Sequence, residues 1–165
     1  MLFRSVDPAL ATTNSGFLAG DLASITFSAT RAAGESVNTY VITPSASGAV
    51  LANYDVTYNN GTFEITKKSA SVTAVDNSKV YGSVDPALAT TNSGFLAGDL
   101  ASITFSATRA AGESVNTYVI TPSASGAVLA NYDVTYNNGT FEITKAGTTT
   151  VVTCSPDSLE IGRAT

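Results

Sequence analysis

The chain contains no histidine and no tryptophan, and only one cysteine and one methionine. Without histidine there is no Ser-His-Asp triad, no Cys-His dyad and no His-ligated metal. The lone Cys154 has no partner in the chain, so an internal disulfide, a two-cysteine redox motif and a cysteine zinc site are excluded. Charged residues make up only 13% of the chain, and the net charge is −5. That balance argues against nucleic acid, which calls for a basic stripe, and against an anionic membrane surface. No apolar run approaches the roughly 20 residues of a membrane span. The N-terminus lacks a basic stretch followed by an apolar one. The expectation is that any export signal belongs to a longer parent chain. Serine, threonine and asparagine carry the solubility, a style commoner in exported proteins than in cytosolic enzymes.

What is present is a repeat. Ser5 to Lys67 recurs without a change as Ser83 to Lys145, 63 residues at an offset of 78. Self-similarity of this kind sets the organisation before anything else. Upstream, Leu2-Phe3-Arg4 stand where Val80-Tyr81-Gly82 stand, so an apolar-aromatic pair is kept and the glycine is not. The second copy is preceded by SASVTAVDNSK, for which the first has no counterpart. The expected organisation is a first unit, 1–67, missing its leading segment; a complete unit, 68–145; and a tail, 146–165. In the tail, Val151 and Val152 among threonines read as a strand and Pro156 as a turn. A mostly β unit that lacks one strand is expected to expose an edge and part of its core, and so to be less protected locally.

Within a unit the periodicity is that of strands. ASITFSATR alternates Ile25, Phe27 and Ala29 against serine and threonine, as a half-buried strand does. NTYVITP is a strand that Pro44 is expected to end. ASVTAVD, around Val72 to Val75, is the leading strand. SGFLAGDLA reads as a turn or one helical turn, with Phe17, Leu18 and Leu22 filling the core. YDVTYNNGTFEIT reads as a hairpin, in which Asn60-Gly61 forms a type I′ turn that sets Tyr58 against Phe63 and Val56 against Ile65. Ile65–Lys67 runs into Lys68–Ser69 with no Gly/Pro-rich linker, which favours a rod over tethered beads.

KVYGSVDPAL, SGFLAGD, RAAGESVNTYVIT and NYDVTYNNGTFEITK, in that order, resemble the MBG domain of the YGX type. Lys79, Tyr81, Gly82, Asp85, Pro86, Gly98, Asp99, Gly112, Tyr118, Asn131, Tyr132, Gly139, Phe141 and Ile143 fall on that pattern. The resemblance implies a mostly β, β-grasp-like module of little helix. It also implies a place in tandem arrays of large bacterial surface or secreted adhesin-like proteins. The expected role is a spacer or stalk at the cell surface, with neighbouring repeats as partners and no membrane insertion. The alternative is a module that binds glycan or a host protein. No catalytic, cofactor or metal residues come with the resemblance, and no enzyme activity is expected. Arg4 departs from the pattern's glycine and puts the first opening turn in question. The tail looks like the start of a bacterial immunoglobulin-like domain.

Some residues invite sharper readings. Asp7, Asp21, Asp55, Asp85, Asp99 and Asp133 are candidate calcium ligands, but scattered single acids read first as turn and cap residues. Tyr40, Tyr54, Tyr58 and Phe63 could form a sugar platform, although aromatics on strands are more often core. Lys67 and Lys79 are candidates for Lys–Asn isopeptide bonds, with solvated edge protection as the simpler reading. Glu35 and Asp55 as a glycosidase pair would need a cleft that the sequence does not suggest.

Overall fold

The computed structural model describes residues 1–153. Ten strands and four short helical turns make two small β-rich modules with little helix. The first module holds β1 (Thr26–Arg31), β2 (Asn38–Ser47) and β3 (Gly61–Ile65), an antiparallel sheet ordered β1-β2-β3. The second holds β4 (Lys68–Ala74), β5 (Asn77–Val80), β6 (Thr90–Ser93), β7 (Thr104–Arg109), β8 (Asn116–Ser125), β9 (Tyr132–Asn137) and β10 (Gly139–Thr144). Its strands form two sheets, β5-β10-β8-β7 and β6-β4-β9.

The alternating strands fall where the pattern puts them. β1 and β7 carry TFSATR, and β4 is the leading strand. Ala70, Val72 and Ala74 of β4 point inward, and Val72 is completely buried. SGFLAGDLA forms a single helical turn in each unit, Leu22–Ser24 and Ala97–Leu100. In the first unit, however, Leu18 is 70% exposed and fills no core.

Two expectations are overturned. β2 does not end at Pro44 but continues to Ser47. β3 covers β2 only as far as Ile42, while Pro44 pairs with Ala29 of β1. One flank of β2 is therefore free of a ladder at Pro44, and a proline without an N–H is tolerated there. The Asn-Gly hairpin does not form either. β9 lies parallel to β4, whereas β10 lies in the other sheet between β8 and β5. Phe63 opposes Tyr40 and Ile65 opposes Asn38, not the residues across the supposed turn. The chain changes sheets at Asn138, where longer-range partners outcompete the local pair. Thr140 N–H donates to Asp76 Oδ1 at 2.7 Å, and the Asn137 side-chain amide donates to Thr73 Oγ1 at 3.0 Å.

Gly139 does not have positive φ, so it is not a turn glycine. A Cβ at that position would stand 2.8 Å from the Ala74 carbonyl oxygen. The glycine allows a close backbone approach.

Residues 146–153 form no strand, so the strand expected at Val151–Val152 is absent from the described part of the tail. Both valines are exposed and have no sheet neighbour. The remainder of the immunoglobulin-like reading lies outside the described residues.

Candidate functional site: an open groove and a packed junction

The first unit has no counterpart of β4 among the described residues. Residues 12–15 and 54–59, which match β6 and β9 by sequence, are not strands there. Between them runs a groove of about 650 Å³. Its walls are Thr12–Gly16 and Asp55–Asn59, and its floor includes Phe27, Ala29, Ile42 and Pro44. In the second unit the counterparts of Ile42 and Ala29, Ile120 and Ala107, pack with Ala74 of β4.

Tyr54 and Phe17 close one end of the groove, their ring centroids 4.9 Å apart. Tyr54 O–H donates to Asp21 Oδ2 at 2.6 Å and accepts from Leu18 N–H at 3.1 Å. The same arrangement recurs in the second unit with Tyr132, Asp99 and Leu96. Both phenols are raised above their ordinary pKa. At Tyr54 the hydrogen bond to Asp21 is the main cause, while at Tyr132 burial comes first and the bond to Asp99 second.

The units meet at a second feature. Phe3 packs its ring edge-on to Tyr132, centroids 5.6 Å apart, in a cluster that also holds Phe63, Ile65 and Ala70. That cluster draws on both units. Val37 N–H donates to Asn131 Oδ1 across the joint at 2.9 Å. Arg4 Nη1 reaches Asp99 Oδ1 at 2.6 Å, and Asp99 is buried. Arg4 keeps the left-handed backbone of the glycine it replaces, φ +54° against +86° at Gly82. The opening turn survives, with Ser5 N–H on Leu2 O as Ser83 N–H lies on Val80 O. A non-glycine residue there costs about 1–2 kcal/mol, and the ion pair to a carboxylate that would otherwise lack a charged partner offsets it.

The third feature belongs to the second unit alone. Lys79, buried, holds Asp85 and Glu113, and Arg109 grips the same two acids. The Arg109 guanidinium lies over the Phe141 ring at 4.9 Å. Arg109, then Lys79, hold the Asp85 carboxyl down at about 2. Glu113 is lowered as well, by Lys79 first, and Lys79 is raised by Asp85 first. In the first unit Arg31 grips Asp7 and Glu35 in the same way, but Met1 stands where Lys79 would.

The profile of the MBG domain (YGX type) matches residues 1–64 and again residues 70–142. The chain belongs to the MBG domain (YGX type) family. No curated protein and no solved structure gave a significant match.

The MBG repeats place the sequence candidates as follows. Asp7 and Asp85 pair with arginine, and Asp21 and Asp99 accept from tyrosine. Among the described residues no three of the acids and the other metal-ligating side chains gather as a metal site would require. Phe63 is core and Tyr40 packs against it. Tyr54 and Tyr58 face the groove, so the four aromatics make no common platform. Lys67 is exposed, as edge protection requires. Lys79 is not: it is buried with its ammonium on two carboxylates, because Arg109 and Lys79 together neutralise them. Glu35 is bound to Arg31, and Asp55 lies in the groove wall. Residue patterns missed the groove floor and the role of Arg4. The one signal for the groove was that the residues before Ser5 hold no counterpart of SASVTAVDNSK.

Proposed function

We propose that the chain is a spacer, two MBG repeats of a stalk that displays other domains away from a bacterial cell. Its place is extracellular, and it works by geometry, not by catalysis. The observation that carries this reading is the junction. One core spans both units, and Thr66 passes to Lys68 without a flexible linker. Burying Phe3 there contributes about 2–3 kcal/mol, and its edge contact with Tyr132 adds about 1 kcal/mol.

The far end of the second unit repeats the face that the first unit presents to this joint. Tyr81, equivalent to the buried Phe3, is 54% exposed, and Val115, equivalent to the half-buried Val37, is 46% exposed. A third unit would find the same apolar seat. No helix among the described residues is long and apolar enough to cross a membrane.

The rival reading, recognition of glycan or a host protein, draws on the aromatic groove. That groove is filled by β4 in the complete unit, so a complete repeat does not offer it. Small-angle scattering on chains of two, three and four units tests the spacer reading. The longest dimension is expected to rise in proportion to unit number; a particle that stays compact overturns the reading.

A further inference from the structure

We infer that the groove of the first unit is a strand-acceptor site. Its occupant is the leading segment of another copy of this repeat, with the sequence of Lys68–Asn77. The inference does not rest on the spacer reading. It rests on an internal template, because the residues lining the groove are the residues that hold β4 in the second unit, each displaced by 78 positions.

There β4 pairs antiparallel with β6, from Ser71–Ser93 to Ala74–Thr90, and parallel with β9, from Lys68–Tyr132 to Thr73–Asn137. Among the described residues neither wall of the first unit has a strand partner. They offer backbone groups on either side, as an edge that adds a strand does. Ala74 matches the floor, since it packs with Ile120 and Ala107, the counterparts of Ile42 and Ala29. Val72 is fully buried on the same face of β4, and Ala70 joins the junction cluster with Phe63 and Tyr132. The β4 of this chain is engaged by the second unit. β3 ends at Ile65, and only Thr66 and Lys67 separate it from a β4 already paired in the second unit. The occupant is therefore a further copy of that segment.

Gly61 gives this site a specific signature. Its counterpart Gly139 has the Ala74 carbonyl oxygen 2.8 Å from where a Cβ would stand, whereas at Gly61 only Ile42 lies within 4 Å. A side chain at position 61 is accommodated while the groove is empty and clashes once a strand enters. Thr62 N–H is also placed to donate to Asp76 of the incoming strand, as Thr140 N–H does to Asp76 in the second unit.

The test is titration of a capped synthetic peptide, Lys68–Asn77, into the full chain, followed by amide NMR and hydrogen exchange, up to about 1 mM peptide. The expected result is one-to-one binding, with protection gained at residues 12–15 and 54–59 and unchanged at 90–93 and 132–137. A Val72→Asp peptide is expected to bind at least tenfold more weakly. Gly61→Ala in the chain is expected to weaken binding about tenfold while its amide spectrum keeps the folded dispersion of the parent.

A peptide of Ala146–Thr153 puts threonine where Ala70 and Val72 point inward, and it is expected to bind more weakly. The proposal is overturned by no binding, by equal binding of the Val72→Asp peptide, by indifference to Gly61→Ala, or by preference for the Ala146–Thr153 peptide. Scattering that refutes an elongated array leaves this titration unaffected, and the reverse also holds, so failure of the two readings can be told apart.

Discussion

Ile42 and Ile120 sit in the same 63-residue text, yet Ile42 is half-buried and Ile120 is fully buried. The same split runs through Tyr54 and Tyr132, Pro44 and Pro122, Asp21 and Asp99. The stretch YDVTYN is a strand at 132–137 and not at 54–59. Because the residues are identical, intrinsic propensity cannot produce the difference. It comes from neighbours: β4 and β5 on one side, and the partner unit on the other. Strand formation here follows from an available ladder and a covered face, as context-dependent β propensity implies.

The strongest way to break the comparison is to remove β4 from the second unit by chemistry. Val72→Asp puts a carboxylate where the structure has a fully buried side chain between two neighbouring strands. A buried unpaired charge of this kind is expected to cost about 4 kcal/mol or more. Hydrogen exchange should then show 90–93 and 132–137 falling to the level of 12–15 and 54–59. If 132–137 stays protected, β9 does not depend on β4.

Next in size is a matched pair of truncations. Ile120→Ala empties a fully enclosed site and is expected to cost about 3–4 kcal/mol, while Ile42→Ala, on the groove floor, should cost about 1 kcal/mol. Denaturant melts of the two variants measure the gap. Equal losses would show that the groove closes in solution.

Much of the fold could be read from the residues. Ile25, Phe27 and Ala29 alternate in a way that gives β1 and β7 directly, and SASVTAVD announces β4. The repeat also gave the order of units and the exposed edge of the first. What alternation cannot name is a partner. Tyr58 with Phe63 and Val56 with Ile65 satisfied the apolar pattern of a hairpin as well as the true arrangement does, because a period of two fixes the face and leaves the neighbour open. The Asn-Gly pair pointed to a turn, while Gly139 serves a close pass of the Ala74 carbonyl. The groove was hidden for another reason. Its residues are the same in both units, so no residue marks it. Arg4 could be seen as a departure from glycine, but its value depends on Asp99, 95 positions away.

A smaller effect sharpens the same contrast at the two glycines. Gly139→Ala meets the Ala74 carbonyl and the Asp76 carboxylate and is expected to cost about 1–3 kcal/mol. Gly61→Ala meets only Ile42, at 3.5 Å. It is expected to be neutral or to stabilise slightly, since alanine loses less backbone freedom on folding. Thermal melts of the single variants check the asymmetry, and a reversed order would place the obstruction in the wrong unit.

The smallest expected effect concerns Lys79, which has no counterpart but Met1 in the first unit. Asp85 sits at about 2, below its ordinary 3.8, because Arg109 and then Lys79 bond its charged form. A carboxyl lowered in the folded state supports folding fully above pH 3.8 and loses that support as pH falls through about 2. Glu113 is lowered from 4.5 by the same two cations and acts in the same sense. The raised Lys79 works the other way, in full below pH 10.5 and lost above it. Both carboxylates are substantially exposed, so solvent and salt screen much of the gain. Lys79→Met, which copies the first unit's residue into the second, is expected to raise the Asp85 pKa towards 3.8. It should also shift the acid unfolding of the second unit to higher pH, while Arg109 keeps the carboxyl partly depressed. Carbon-detected NMR of the Asp85 carboxyl between pH 1.5 and 6 reads this directly. An Asp85 titration that Lys79→Met leaves unmoved would show that Arg109 alone sets it. The two units would then differ in their strands but not in this ion cluster.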